Sequence, residues 1–588
     1  MGSALLFAGI QAAAQNPIQD QIQDQMNENL QQSTQPVAEP ARVTVQGEVR
    51  NAATGQPLPR ALVRIEGDAG TGTLTDGEGR FEIPGVPPGP QTFRIVKPGF
   101  HDRPYATEDI GYPAEGPAHS VNVTAQMPGL VFSLTPNCVI HGRIELSTGD
   151  PAENMTVMLL KRVVRSGRGI WVPVGPARTS GDGMYRFAGL QEGVYALYTQ
   201  PALESEPVGA GVNAGSGSRI ARSGFPSVFY PDARDFSGAA HIQLSPGDQA
   251  EANFVLTAEP FYTITAAGVL PGPGNNPAPP GNTALIMDAS GHQLPYVAQY
   301  GSATHGLQAD LPNGTYVMMM QTFRRTGLIA LADGPITTLL NRNDGAVSGS
   351  VEFSVEGRAI AGLTIPLGPT PTVSVVLRYL HNDVGQASSA PVASPTEMVN
   401  LTLDRAEGMP SPQGDSVTMI DSSQDSLQFT APPGAYWLNT NLPRKGWCAG
   451  PLTGGGVNLA RDPFTVLLAS PVPPVELTLR DDCATLTLTL PPAMAAFGPG
   501  EEPFYTVYLV PDFDTTTFIP PMTMHPSSGA TLTLDTLTPG NYHIYIFDSP
   551  VHLEYRNPAV MAALPNSGQA VTLSPGVTSA LTLEVTEH

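Results

Sequence analysis

The chain has 588 residues, 41% of them hydrophobic and 14% charged, with 61 glycines, 60 prolines and a net charge of −23. It is too long for one hydrophobic core and too apolar for a disordered chain, so several domains of about 100–150 residues are expected. Only three lysines occur (Lys97, Lys161, Lys445), and a field of that sign repels phosphate backbones and anionic lipid surfaces, which argues against nucleic acid as a partner.

At the N-terminus, the apolar run from Ala4 to Ile10 precedes Ala12-Ala13-Ala14, small residues that suit signal peptidase, although the usual basic region is missing. Residues 1–14 are therefore predicted to be the remnant of an export signal. The run is too short to span a bilayer, and no later apolar stretch is long enough for a transmembrane segment. Residues 15–41 are rich in Gln, Asn and Asp and carry no aromatic side chain. They read as a disordered, Gln-rich spacer. Beyond them, glycine and proline punctuate stretches of Thr, Val and Leu, which predicts short strands and many turns.

One turn signal recurs five times. It reads Val86-Pro87-Pro88-Gly89, then Leu190-Gln191-Glu192-Gly193-Val194-Tyr195, Leu311-Pro312-Asn313-Gly314-Thr315-Tyr316, Ala431-Pro432-Pro433-Gly434-Ala435-Tyr436 and Leu537-Thr538-Pro539-Gly540-Asn541-Tyr542. The glycines are 104, 121, 120 and 106 residues apart, about one β-sandwich each. Proline and glycine suit the turn itself, and the residues after it alternate in strand fashion, as in Tyr542, Ile544 and Ile546 against His543, Tyr545 and Phe547. The tyrosine two residues after the glycine resembles the tyrosine corner of sandwich folds, whose hydroxyl bonds to upstream backbone. Gln91 takes that place in the first repeat. Closing elements read as strand, turn, strand, as in Ile242-Gln243-Leu244-Ser245-Pro246-Gly247 before Ala252 to Leu256 and Val571-Thr572-Leu573-Ser574-Pro575-Gly576 before Ala580 to Val585. New opening strands such as Tyr262 to Val269 and Ala484 to Leu490 begin within a few residues of a module's end. The expected fold is all-β, with five tandem sandwiches of transthyretin-like or immunoglobulin-like type at 42–135, 136–258, 259–369, 370–481 and 482–588. The short joints between them predict an elongated, semi-rigid rod.

The first unit reads Val45-Gln46-Gly47-Glu48-Val49, then Thr54-Gly55-Gln56-Pro57-Leu58-Pro59-Arg60-Ala61-Leu62-Val63 and Thr75-Asp76-Gly77-Glu78-Gly79-Arg80-Phe81. The second carries a variant in Gly142, Gly149-Asp150-Pro151 and Gly181-Asp182-Gly183-Met184-Tyr185-Arg186-Phe187. These stretches resemble the carboxypeptidase regulatory-like domain, a transthyretin-like β-sandwich, and the whole chain is similar to exported bacterial proteins that carry such domains. The resemblance implies a module that accompanies catalytic domains without catalysing anything. Its kinship with starch-binding-like folds makes sugar binding an analogy only, since fold does not set function.

Motifs of chemistry are scarce. No histidine is followed by Glu in the His-x-x-Glu spacing of zinc carboxypeptidases, and there is no H-E-x-x-H, G-x-S-x-G, phosphate-binding glycine loop with Lys, or C-x-x-C. Asp76-Gly77-Glu78-Gly79 and Asp182-Gly183 read as hairpin turns rather than calcium loops. Opening strands without lysine predict no Lys–Asn crosslink. Cys448 and Cys483 are close enough to form a disulfide in an exported protein, leaving Cys138 over. Trp171, Trp437 and Trp447 are the candidates for stacking on a ligand, against the plainer reading that they pack across strands. An aromatic insertion, Phe225 to Asp232, reads as cover for a sandwich end. No catalytic, metal or cofactor residue is predicted. The expected function is a non-catalytic structural or adhesive protein of the cell envelope, exported to the periplasm, surface or medium, whose partner is a protein or glycan. The alternatives are a carbohydrate-binding protein using exposed aromatics and an accessory part of an extracellular hydrolase system.

Overall fold

A computed structural model describes residues 42–66, 72–102, 119–204, 222–270, 282–289, 292–301, 306–322, 347–380, 399–406, 417–418, 427–431, 434–442, 446–467, 472–491, 505–524, 531–548 and 551–584. The signal remnant and spacer predicted for 1–41 lie outside these, as do Pro432, Pro433 and Lys445.

The described residues form ten sheets that pair into five β-sandwiches. Each sandwich has its own cluster of buried side chains. The same strand order is built five times. An opening strand lies between the strand that leads into the Gly turn, to which it runs antiparallel, and the closing strand, to which it runs parallel. Val43–Asn51 stands so between Arg80–Val86 and Leu130–Pro136. Cys138–Leu146 stands between Met184–Leu190 and the pair Gln249–Glu251 and Phe254–Leu256. Glu259–Val269, Thr372–Leu380 and Ala484–Thr489 repeat the arrangement with Ile360–Pro366, Val475–Arg480 and Thr578–Thr582 as parallel partners. Alternation of apolar and polar residues along these strands buries one face, as in Val475–Arg480, where every second residue is buried.

The five repeated glycines all open an inner strand of the facing sheet: Gly89–Val96, Gly193–Thr199, Gly314–Thr322, Gly434–Asn441 and Gly540–Phe547. The turn is thus the corner at which the chain crosses from one sheet to the other. The crossing holds these glycines at φ of +109°, +143°, +157°, +153° and +159°, values that disfavour any residue with a Cβ. The corner is locked by a side chain two residues on. The hydroxyls of Tyr195, Tyr316 and Tyr542 donate to the carbonyls of Gln191, Pro312 and Thr538, at 2.7, 3.1 and 2.6 Å. In the first sandwich the amide of Gln91 donates to the Pro87 carbonyl at 3.2 Å, the same position four residues back. The glutamine that breaks the repeat in sequence therefore preserves its hydrogen bond. Burial pushes the Tyr316 hydroxyl up to about 12 and Tyr542 higher still. Tyr542→Phe leaves the Thr538 carbonyl without this donor, and a cost of about 1–2 kcal/mol is expected. Faster hydrogen exchange confined to Gly540–Phe547 and its neighbours in the full chain would register it; unchanged exchange would mean that the hydroxyl does not lock the corner.

Among the described residues, two sandwiches are covered on the outside as well. On the second, Leu160, Ala196, Tyr198 and Phe229 form a buried cluster joined by Trp171 and Phe236. The aromatic insertion lays Phe229 over the outer face of a sheet and turns Phe225, Val228 and Tyr230 into the main core. Its first strand, Arg222–Phe225, pairs with Glu259–Val269 and so ties the second sandwich to the third. On the fifth, the segment from Val551 to Leu564, with the short helix Pro558–Ala562, packs on Tyr508, Val510 and Tyr545.

The rod expected from the short joints is not what the chain forms. The hairpin Thr156–Arg165 and Arg168–Arg178 of the second sandwich touches residues up to 392 positions away in the fourth and fifth. Short joints restrict how far neighbours separate, but they leave the direction of each step free. The run of sandwiches doubles back.

Candidate functional site

Charged and aromatic side chains from distant parts of the chain come into contact where this hairpin meets the fourth and fifth sandwiches. The hairpin is long because its ten-residue first strand and eleven-residue second strand stay paired to the tip, with Arg165 opposite Arg168. Ser166 and Gly167 make the turn with φ of +51° and +75°, the geometry of a tight two-residue hairpin.

Three arginines act along it. Arg162 forms a paired, two-point contact with the Glu554 carboxylate, whose second bond is 2.7 Å long. Arg165 lies 3.5 Å from Asp404. The guanidinium of Arg168 stacks over the Trp437 ring with 3.9 Å to its centroid, and its Nη2 donates to the Ala460 carbonyl at 2.9 Å. The backbone joins in, with Arg556 N donating to the Gly167 carbonyl at 2.9 Å. Asp404 is 6% exposed and accepts from Asn439 Nδ2 at 2.9 Å. Burial pushes its carboxyl above the usual range in spite of Arg165 and Arg168. Burial, and then the neighbouring Arg556, push the Arg168 guanidinium down to about 9.

The seat for the hairpin is made by two sandwiches held firmly together. Cys448, at the start of Cys448–Gly454, is bonded to Cys483, just ahead of Ala484–Thr489, with 5.7 Å between the Cα atoms. Thr440 and Thr516, both fully buried, meet hydroxyl to hydroxyl at 2.8 Å. Asp514 accepts from Asn458 at 3.0 Å and pairs with Arg461 at 2.7 Å. A cleft of about 390 Å³ beside the disulfide is lined by Arg480, Asp512, Phe513 and Asn541, among others. Arg480 there is already paired with Asp482, at 2.8 Å.

All three candidate tryptophans are engaged inside the protein. Trp437 does face away from the core beside buried Tyr436, as alternation requires, but Arg168 covers it. Trp171 is half-buried, edge-on to Phe236 at 5.5 Å and 4.9 Å from His241. Trp447 packs on the fourth core and meets Tyr379 edge-on at 5.6 Å. Each indole has an intramolecular partner, as the plainer reading of packing across strands expects. Cys138 is buried, with its thiol 3.1 Å from the Ser245 carbonyl. The Asp76 and Asp182 loops are turns: Asp76 Oδ1 accepts from the backbone of Glu78 and Arg80, at 3.0 and 2.8 Å. Among the described residues no three His, Cys, Asp or Glu side chains converge on a metal-sized site, and no helix is long and apolar enough to cross a membrane.

Sequence reasoning did not find Arg162, Arg165, Asp404 or Glu554. The pairing partners are separated by hundreds of residues, and no periodicity links them. The only local sign is the tip Arg165-Ser166-Gly167-Arg168-Gly169, a strongly basic turn in an acidic chain.

The fold and this junction define a tandem β-sandwich protein with a docked hairpin. Residues 44–126 match the carboxypeptidase regulatory-like domain, the family that the motifs of the first sandwich resemble. Similar solved structures include the Bacillus anthracis TIE protein, at 12% identity over 80% of this chain and 78% of that one, with a TM-score of 0.15. A streptococcal ancillary pilin aligns at 13% identity over 56% of this chain and 99% of its own, with a TM-score of 0.18. Two B repeat units of the collagen-binding protein of Staphylococcus aureus align at 10% identity over 70% and 93%, with a TM-score of 0.14. No curated protein matches the chain.

Proposed function

We propose that this chain is a non-catalytic, exported structural or adhesive protein of the cell envelope, which presents β-sandwich surfaces to a protein or glycan partner. The observation that carries the reading is the use made of its aromatic and charged groups. Trp437, the indole best placed for a ligand, is covered by Arg168 at 3.9 Å, and the surrounding carboxylates pair with arginines of another sandwich. Side chains spent on holding modules together belong to a scaffold. The regulatory-like domain of the first sandwich supports the same reading, because in the proteins it resembles it stands beside catalysis rather than performing it. The disulfide between Cys448 and Cys483 suits an oxidising compartment.

Glycan-array screening of the pure chain tests this against the carbohydrate-binding alternative. The expected result is a signal that Trp171→Ala and Trp437→Ala leave equal to that of the native chain. Sugar binding that either substitution abolishes would replace the structural reading with the sugar-binding one. Peptide cleavage by the pure chain would overturn both.

A further inference from the structure

We propose that the Arg165–Arg168 hairpin tip is a reversible clasp, which closes the chain into a loop and, on opening, lengthens the molecule and uncovers Trp437. The two sides of the junction are built differently. The fourth and fifth sandwiches are joined covalently, by chain continuity and a disulfide, and by a buried pair of threonines. The hairpin, by contrast, is held by side-chain ion pairs, one guanidinium on an indole and backbone bonds. No buried hydrophobic cluster among the described residues joins the second sandwich to the fourth or fifth. Interfaces between domains that lack a shared apolar core open readily.

The fit is nonetheless specific. A Cβ on Gly167 would lie 2.5 Å from the Tyr555 ring, and one on Gly169 would lie 2.3 Å from the Arg162 guanidinium and 2.8 Å from the Glu554 carboxylate. A side chain at Gly169 would displace the Arg162–Glu554 ion pair, and one at Gly167 would press on the Tyr555 ring. Closure is also imperfectly compensated. Arg168 Nη1, Asn439 Oδ1 and Thr517 Oγ1 are buried at the junction without a hydrogen-bond partner. Asp404 and Arg168 are both shifted toward their neutral forms, so docking withdraws charge from water without full return. A contact that selective and that weakly held is suited to switching.

The test uses the full chain with Trp171→Phe and Trp447→Phe, leaving Trp437 as its one indole. Acrylamide quenching and the radius of gyration from X-ray scattering are followed from ~0.1 to ~1 M NaCl, where the screening length falls from ~10 to ~3 Å. Both quantities are expected to rise together with salt. Gly169→Val, whose side chain has no room beside Glu554, is expected to give the high-salt values of both at low salt. Glu554→Arg should do the same, and adding Arg162→Glu to it should restore the closed values. Gly169→Val lies on a protruding tip, so it remains informative if Glu554→Arg fails to fold. Values that stay compact and shielded at every salt and in Gly169→Val would overturn the proposal. So would native values already equal to those of Gly169→Val at low salt, since the clasp would then never close.

Discussion

Gly142→Ala is expected to unfold the second sandwich selectively, at a cost of ~3 kcal/mol or more. A Cβ at this position would sit 1.8 Å from the Ala252 carbonyl oxygen and 2.9 Å from the Tyr185 hydroxyl. The reason lies in how the closing strand meets the opening one. Gln249–Glu251 pairs alongside Val139 to His141, and Phe254–Leu256 alongside Ile144 to Leu146. Between these two runs the chain bulges. Ala252 N donates to the His141 carbonyl at 2.8 Å, while Asn253 Oδ1 accepts from Arg143 N at 2.7 Å. The Ala252 carbonyl is thereby turned inward, where the buried Tyr185 hydroxyl donates to it. Only an unsubstituted Cα leaves room for both groups. Backbone cannot yield as the end of a side chain can, so the strand must shift and the ladder on both sides suffers. Gly181 is a fair control in the same sandwich: its nearest neighbours would be 4.0 Å from a new Cβ, and its φ is not in the left-handed region. Gly181→Ala should change stability by less than ~1 kcal/mol. Hydrogen exchange over Cys138–Leu146 and Met184–Leu190 in the full chain distinguishes the two. Native protection in Gly142→Ala would show that the close approach is not a constraint.

That glycine also shows what could be read from the residues alone. Gly47 and Gly142 stand in the stretches that carry the regulatory-like resemblance, and each lies under a carbonyl of a neighbouring strand: a Cβ on Gly47 would be 2.3 Å from Leu130 O. The corner glycines and tyrosines were legible for the same reason. Their requirement is local, set by φ and by a bond four residues back, so it repeats wherever the corner repeats. The repetition of one sandwich unit followed from that spacing, while the order of its strands did not. The hairpin clasp was not legible, because Arg162 and Glu554 satisfy each other over 392 residues and either would look like an ordinary surface charge. Trp437 was placed on the correct face, but Arg168 as the group that covers it was not legible. Alternation along Gly434–Asn441 says which way a side chain points, and nothing about what arrives from another sandwich to cover it.

Removing the bond between Cys448 and Cys483 is expected to be the second large loss, ~3–4 kcal/mol. The bridge closes a loop of 35 residues, and the entropy released to the unfolded chain when such a loop is opened is of that order. The bond also acts in the folded protein. It holds the end of Val475–Arg480, where Arg480 pairs with Cys448, against the start of the fifth sandwich. There the Thr538 hydroxyl donates to the Ala449 carbonyl at 2.7 Å. Loosening the junction therefore loosens the seat on which the hairpin docks. Cys448→Ser with Cys483→Ser should lower the melting temperature of the fourth sandwich and raise hydrogen exchange in Cys448–Gly454 and Ala484–Thr489. It should also expose Trp437 to quencher, although no residue of the clasp has been altered. Reductant added to the native chain should reproduce all three effects, and thiol titration of the unfolded, unreduced protein should count one free cysteine, Cys138. Three reactive thiols, or a double variant as stable as the native chain, would show that the two sandwiches are held by their polar contacts alone.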